Sequence, residues 1–372
     1  MSFLGRLSAL GWFLLAAAWF LFSDLVAMRA ASGLTFGDYL EPLYRIFLLF
    51  LLLLGYALLS VLSRRHARPL KEIGLDPRPG RLREWALGAA VGWAGVLACV
   101  LPTALIGGLV FTVFTNSHQF FVALLDLIAL AAGTLAVEAA FRGYPFLRLV
   151  DAMGSGLATL FMAAIYAIWR THATPTSTAA VVVSFLLGWV LALAALRTRA
   201  LWVSWGFHFA WAAVTSMLFG LPMAGGMNYS PVFVTNTAGP MWLTGGAQGP
   251  EGSAFGVIVG FLLLIAMVRV TADLKHKYGY AEIVPGGIPV DIDAAARAQH
   301  EAAMGAAQPA EPQLVQILPA QPGQAAAPLP YMATEEPQAA NGEANGEGTR
   351  HAEAAAERRA SSEEERPGPE AD

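Results

Sequence analysis

Long apolar segments follow one another along the first 272 residues of the chain. Each segment has the length that a helix needs to cross a bilayer, about 20 residues, and is rich in Leu and Ala. Strands are not expected, because the segments are continuous and an open sheet would leave backbone groups unpaired in lipid. The predicted fold is an all-α, polytopic membrane helix bundle. We place its eight transmembrane helices at residues 8–30, 43–63, 84–112, 119–147, 154–172, 177–197, 200–220 and 254–272.

Basic residues predict the orientation of this bundle, because Lys and Arg concentrate in cytoplasmic loops. The segment "RRHARPLKEIGLDPRPGRLR" after the second helix is densely basic, and further basic residues follow the fourth, sixth and eighth helices. Residues 221–253, in contrast, contain no Lys or Arg. We therefore expect a multi-pass protein of the plasma (inner) membrane with both termini in the cytoplasm. Arg170 is the exception to this charge bias.

The composition changes after the last apolar segment. From about residue 285 the chain is rich in Ala, Pro, Glu and Gln, which is too little apolar surface to offset the entropy of an ordered chain. Three regions are predicted: two N-terminal helices and a basic cytoplasmic loop at 1–69, a six-helix membrane domain at 70–280, and a disordered cytoplasmic tail at 281–372.

Overall composition excludes several classes of protein. With 56% hydrophobic and 13% charged residues, the chain is too apolar for a soluble domain. The net charge of -4 gives no reason to expect nucleic acid as a partner. A single cysteine, Cys99, rules out an intrachain disulfide bond or a cysteine-based zinc finger.

Polar residues inside the predicted helices are the candidates for function, because charges are costly in a bilayer. Asp24 and Asp126 are interpreted as structural. Glu138 and Arg142 are four residues apart and share one helix face. The candidates are Asp24, Asp126, Glu138, Arg142, Arg170, His172 and His208.

Three of these residues are expected to converge. Glu138 lies roughly 20 Å before the turn that joins the fourth and fifth helices, and His172 lies roughly 27 Å after it. His208 lies roughly 13 Å inside the seventh helix. One carboxylate with two imidazoles can hold Zn²⁺ with an open coordination position. Alternatively, the carboxylate activates a water molecule while the imidazoles stabilise the oxyanion. Both arrangements suit amide hydrolysis.

Motifs in the same region resemble those of one family of membrane proteins. "EAAFRGYPFLRLV" resembles the EExxxR motif of the CPBP family, which includes CAAX prenyl endopeptidases and lysostaphin-resistance-like (Abi) proteins. "SFLLGWVLALAALRTRALWVSWGFHFAWAAVTSMLFGLPMAGG" and "LTGGAQGPEGSAFG" resemble later family segments, so that the resemblance spans roughly residues 70–272. It implies an intramembrane metallo-endopeptidase that acts on a membrane-associated peptide or a lipidated protein. Together, the spacing and the resemblance give Glu138, Arg142, His172 and His208 as the candidate catalytic residues, with Glu138, His172 and His208 as the candidate zinc ligands.

The chain departs from the family pattern at three positions. Val137 replaces the first glutamate of the motif, to which the family assigns the activation of water. Arg170 replaces the first histidine, and His172 follows two residues later. Ala212 stands where the family has an asparagine. An arginine cannot bind a metal ion, and Arg170 could instead form a buried salt bridge with Glu138.

Two main hypotheses follow. In the first, the chain is an intramembrane endopeptidase with an altered catalytic centre and either Zn²⁺ or no cofactor. In the second, it is a catalytically inactive relative that acts as a membrane-embedded binding or scaffold protein. A transporter or channel is a weaker third hypothesis, because paired half-helices are not apparent. In each case the expected surroundings are the lipid bilayer and a membrane-associated peptide or protein.

Overall fold

The computed structural model describes residues 2–35, 37–63, 68–113, 117–172, 176–224, 229 and 233–279, with four further positions beyond them. Residues 1–302 form one compact unit and residues 303–372 a second. Only Met304 is described in the second unit. The predicted disordered tail therefore lies almost wholly outside the described residues.

The first unit is a helix bundle, as predicted. Its helices are α1 (Phe3–Leu34), α2 (Leu40–Ser63), α3 (Pro69–Ile73), α4 (Arg81–Leu105), α5 (Ser117–Arg142), α6 (Tyr144–Met153), α7 (Ser155–Thr171), α8 (Thr178–Thr198), α9 (Trp202–Ala212), α10 (Met241–Thr244), α11 (Ala254–Val270) and α12 (Ala272–Gly279). A π-helical turn, Ala213–Leu218, continues α9. Two 3₁₀ segments, Gly37–Tyr39 and Gly246–Gly252, precede α2 and α11.

Six segments of the described chain are long and apolar enough to cross a membrane. They contain α1, α2, α4, α5 with α6, α8 and α11, and they make the chain a multi-pass membrane protein. The other two predicted spans are helical but shorter, because α7 has 17 residues and α9 has 11 before its π-helical turn. The count of eight spans is therefore approximate, whereas all eight predicted segments contain helix.

The hydrophobic core contains buried side chains from α1, α2, α3, α4, α5, α6, α7, α8, α9 and α11. Helix α8 is the most central of the six apolar segments. In its 18-residue apolar stretch, 61% of the residues are buried inside the bundle, against 22–39% in the corresponding stretches of the other five segments. Apolar side chains also cover the outside of the bundle: Phe50, Leu54 and Phe261 are each more than half exposed. A bundle with apolar residues on both its inner and outer surfaces is what a lipid environment requires.

One short sheet contradicts the expectation that strands are absent. Strands β1 (Leu109–Val113) and β2 (Phe233–Thr237) pair antiparallel, with Leu109 opposite Thr237 and Val113 opposite Phe233. The third predicted helix extends to residue 112, but α4 ends at Leu105. Gly107 there adopts a φ of +77°, a left-handed conformation that a helix does not continue. The β-branched residues after it then favour a strand.

The fourth predicted helix is also interrupted, at Gly143. Helix α5 ends at Arg142, and α6 continues to Met153 in place of the single helix predicted to residue 147. A Cβ atom at Gly143 would lie 2.5 Å from the Ala139 carbonyl oxygen and 2.8 Å from that of Ile73. Glycine is therefore needed where the chain changes direction directly after the Glu138 motif.

Glycines also allow α4 and α9 to pack backbone against backbone. A Cβ atom at Gly88 would lie 2.0 Å from the Val203 carbonyl oxygen, and one at Gly206 would lie 2.0 Å from that of Trp85. Such a close approach leaves no room for side chains at the crossing. Because Gly206 is two residues before His208, this crossing determines where the His208 backbone lies.

We expect Gly206→Ala to lower the thermal stability of the protein in detergent. The added methyl group would meet the Trp85 carbonyl, and overpacking of this kind costs about 1–3 kcal/mol. Gly11→Ala is the matched control, because a Cβ atom at Gly11 meets nothing within 4 Å. Unfolding followed by circular dichroism measures both. Equal melting temperatures for the two variants would contradict the close α4–α9 contact.

Candidate functional site

Glu138, Arg142 and His208 meet inside the bundle, and we call them the Glu138 cluster. Glu138 and Arg142 come from consecutive turns of α5, and His208 comes from α9. Glu138 Oε1 lies 2.8 Å from His208 Nδ1 and 3.2 Å from Arg142 Nη1. The side chains of Glu138 and Arg142 are both 0% exposed, whereas that of His208 is 12% exposed. The carboxylate is thus enclosed, and the imidazole is the accessible member of the cluster.

Arg142 is held on its other side by α8. Its Nη2 atom donates to the Gly188 carbonyl oxygen at 3.3 Å, and its guanidinium carbon lies 4.2 Å from the centre of the Tyr166 ring. A Cβ atom at Gly188 would lie 2.9 Å from the Tyr166 ring. A larger residue at position 188 would therefore force α7 and α8 apart beside Arg142. Arg142 therefore links three helices while it compensates the charge of Glu138.

The second carboxylate oxygen of Glu138, Oε2, is enclosed among the described residues without a hydrogen bond of its own. The Ser204 hydroxyl is a further donor beside this carboxylate, and it shares its single hydrogen with the Leu201 carbonyl oxygen, which lies 3.1 Å away. A buried acceptor without a donor costs about 1–3 kcal/mol, so such groups commonly have a functional explanation.

Two of the positions at which the chain departs from the family pattern are apolar and packed. Val137 is buried and belongs to the main hydrophobic core. Ala212, one helical turn after His208, is buried in a smaller cluster with Leu130 and Met217. Neither position leaves a polar group facing Glu138.

Arg170 forms a second buried cluster with Glu251 rather than a salt bridge with Glu138. Arg170 Nη2 lies 2.8 Å from Glu251 Oε1, and Trp211 Nε1 donates to the same oxygen at 2.8 Å. The Ala224 amide donates to Glu251 Oε2 at 3.0 Å, while its carbonyl oxygen accepts from Arg170 at 3.1 Å. We call these residues the Glu251 cluster. The hypothesis that Arg170 pairs with Glu138 is wrong, because Glu251 already balances its charge.

Tyr166 separates the two clusters. Its ring centre lies 4.2 Å from the guanidinium carbon of Arg142 and 5.8 Å from that of Arg170. The His208 ring packs edge-on against it at 6.2 Å between ring centres. One aromatic side chain thus contacts both arginines and the accessible histidine.

The structure does not bring His172 to this site. His172 follows the last residue of α7 and is exposed, with Nδ1 2.7 Å from the Trp169 carbonyl oxygen of its own helix. It comes two residues after Arg170, and two residues turn a helix by about 200°. Among the described residues, no three His, Cys, Asp or Glu side chains come close enough to hold a metal ion. Glu138 and His208 are thus together, while the third predicted ligand is elsewhere.

Sequence reasoning missed Glu251 as a functional candidate, although a signal was present. It is the only Asp, Glu, Lys or Arg between residues 200 and 268. An isolated charge in so long an uncharged stretch requires a buried partner. Its place in a Gly-Pro-Glu-Gly segment suggested a loop rather than a span. In the structure, this loop folds back into the bundle and Glu251 is fully buried.

One protein family resembles the part of the chain that contains the Glu138 cluster. Residues 118–214 match the model of the type II CAAX prenyl endopeptidase Rce1-like family. No curated protein and no solved structure matched the chain. The family match contains the whole Glu138 cluster and confirms the resemblance predicted from the sequence motifs. Over residues 118–214, the chain is similar to this family of membrane proteins.

Removing one partner of the Arg170–Glu251 pair should destabilise the bundle strongly. Arg170→Met would leave the Glu251 carboxylate buried without its counter-charge, which costs about 3–5 kcal/mol. The double variant Arg170→Met/Glu251→Gln should recover part of that loss, because the uncompensated charge is gone. Thermal unfolding of the wild type, both single variants and the double variant gives the coupling. Strictly additive effects would show that the two residues do not interact.

Proposed function

We propose that the chain is an intramembrane endopeptidase with an altered catalytic centre, acting on a membrane-associated peptide or a lipidated protein. The observation that carries this proposal is the 2.8 Å contact between Glu138 Oε1 and His208 Nδ1. It joins an enclosed carboxylate to a partly accessible imidazole. In this centre, His208 is the reacting base and Glu138 orients it.

The chemistry depends on which of the two ring nitrogens of His208 bonds to Glu138, and in the structure this is Nδ1. A carboxylate that accepts from Nδ1–H leaves Nε2 as the lone-pair nitrogen of the neutral ring. Nε2 of His208 can then take a proton from a water molecule as that water attacks the amide carbonyl carbon. The same proton passes to the nitrogen of the leaving amine when the C–N bond breaks. Glu138 stabilises the imidazolium that exists between these two steps.

Arg142 acts as a positioning residue in this proposal. A lone carboxylate in an apolar bundle would take up a proton rather than bear the cost of desolvation. The 3.2 Å contact with Arg142 Nη1 favours the ionised form, which is the form that accepts from His208. Its bond to the Gly188 carbonyl oxygen keeps the guanidinium in place.

A zinc ion does not fit the described donor set. A catalytic zinc site takes three protein ligands and a water molecule, whereas Glu138 and His208 supply two, and His172 bonds to the Trp169 carbonyl. We therefore propose no step that passes through a metal ion. The accessible imidazole and the oriented carboxylate suffice for the proton transfers described above.

The charge bias of the loops also bears on the placement in the cell. We propose that the protein lies in the plasma (inner) membrane with both termini in the cytoplasm. The positive-inside rule supports this, because α4 begins beside Arg78, Arg81 and Arg83 and Arg269 lies in the last turn of α11. The substrate would then reach the Glu138 cluster from within the bilayer.

A catalytically inactive binding or scaffold protein is the second candidate. The packing of Val137 and Ala212 in apolar clusters favours it, since both positions have lost groups that the family uses. The full pairing of Arg170 by Glu251 points the same way. Under this hypothesis, the Glu138 cluster stabilises a cavity or surface that binds a membrane peptide without cleaving it.

Activity assays separate the two candidates. Purified protein in detergent or vesicles should cleave a lipidated or transmembrane peptide, and His208→Ala and Glu138→Gln should each lower the rate by about 10²–10⁴-fold. His172→Ala is the matched control, because that histidine is exposed and bonded to its own helix. The cleavage rate of the His172→Ala variant should equal that of the wild type. Cleavage that survives both cluster variants would refute the assigned residues.

Folded wild-type protein that binds peptides but cleaves none in a broad library would support the scaffold hypothesis instead. Binding can be followed by fluorescence anisotropy of the labelled peptides.

Chelators provide a further test of the centre. Because the described residues supply two metal donors rather than three, we expect cleavage to continue after dialysis against a strong zinc chelator. Elemental analysis should find less than one zinc per chain. Loss of activity on chelation, restored by added Zn²⁺, would contradict the metal-free centre.

A further inference from the structure

An uncharged sheet and a short helix form one end of the bundle. Strand β1 follows α4, and the Ala238 amide bonds to the Gly108 carbonyl oxygen at 2.9 Å, joining the end of β2 to the start of β1. Helix α4 begins in the basic segment, so β1 lies at the opposite end. Residues 101–113 and 233–250 contain no Asp, Glu, Lys or Arg. We call β1, β2 and α10 the ribbon end.

Large apolar side chains project from the ribbon end. Val110 and Val113 on β1 are more than half exposed, and Met241 and Trp242 on α10 are each 64% exposed. Leu105, the last residue of α4, is 87% exposed. Clustered exposure of this kind marks a surface that contacts something other than water.

The backbone of the ribbon end limits how deep it can lie. In the part of the chain that the structure describes, the sheet has two strands, so each strand is paired along one edge. An open edge in the hydrocarbon core would leave its N–H and C=O groups without partners. The side chains therefore favour an apolar environment, while the strand edges require water. The headgroup layer of a bilayer satisfies both.

We propose that the ribbon end lies in the headgroup layer of the bilayer, with Trp242 as its anchor. Tryptophan is enriched at this depth because its indole combines an apolar body with a polar N–H group. The occupant is lipid rather than a second copy of the chain, because the exposed apolar side of the spanning helix α4, with Leu101 49% and Leu105 87% exposed, leads directly into β1. The proposal goes beyond the proposed hydrolysis and does not depend on it.

This placement has a consequence for the Glu251 cluster. Helix α10 is joined to Glu251 by the 3₁₀ segment Gly246–Gly252. A membrane anchor at Trp242 therefore holds the start of the segment whose end pairs with Arg170. The bilayer surface and the buried salt bridge fix the same loop from two sides.

Spin-label depth measurements in phospholipid vesicles test the proposal. Labels are attached separately to Met241→Cys and Val110→Cys, which leave Trp242 in place, and the collision rates with oxygen and with a water-soluble nickel chelate are compared. Lys71→Cys is the aqueous control, because Lys71 is exposed in the basic segment. Phe261→Cys, in the middle of α11 and 53% exposed, is the hydrocarbon control. The native chain is the labelling blank, because its one cysteine, Cys99, is buried.

We expect the oxygen-to-nickel ratio at both ribbon positions to rise above that of Lys71→Cys and to stay below that of Phe261→Cys. A ratio equal to the aqueous control would place the ribbon end in water and overturn the proposal. A ratio equal to the hydrocarbon control would also overturn it. So would labels shielded from both reagents with spin–spin coupling between chains, which would assign this surface to a second copy.

Discussion

An ionised group inside an apolar helix bundle loses its hydration, and partners from neighbouring helices have to replace the interactions that water supplied. Glu138 is compensated by Arg142 on its own helix and by His208 on α9. Glu251 is compensated by Arg170 on α7 and by Trp211 on α9. Since each carboxylate has partners on other elements, these two groups determine which faces of α5, α7 and α9 meet. The position of the accessible imidazole is a result of that arrangement.

The two clusters explain how an arginine fits at the position where the motif resemblance implies a histidine. A guanidinium facing Glu138 would compete with His208 for the carboxylate and would block the site. Glu251 and the Ala224 carbonyl hold Arg170 instead, and the Tyr166 ring lies between Arg170 and Arg142. The replacement therefore adds a second structural cluster beside the first and leaves the Glu138–His208 contact intact.

Much of the bundle could be predicted because apolar length alone identifies a membrane helix, and all eight predicted segments contain helix. The meeting of Glu138 and His208 could be predicted from depth and from motifs. The rotation of a residue about its helix axis could not be predicted: His172 has a suitable predicted depth, but it follows the end of α7 and its ring bonds to the Trp169 carbonyl oxygen. The partner of Arg170 was missed because Glu251 is 81 residues away along the chain. The sheet was missed because two consecutive glycines, Gly107 and Gly108, end α4 inside an apolar run.

The π-helical turn after α9 changes which side of the helix the residues after His208 occupy. Such a turn accommodates one residue more than an α-helical turn and rotates the later residues relative to the earlier ones. The family match ends at residue 214, inside the turn Ala213–Leu218. Positions counted forward from His208 with α-helical spacing therefore lose their phase within this turn. The helix faces that Thr215 and Ser216 occupy follow from the structure and differ from those that a 3.6-residue period predicts.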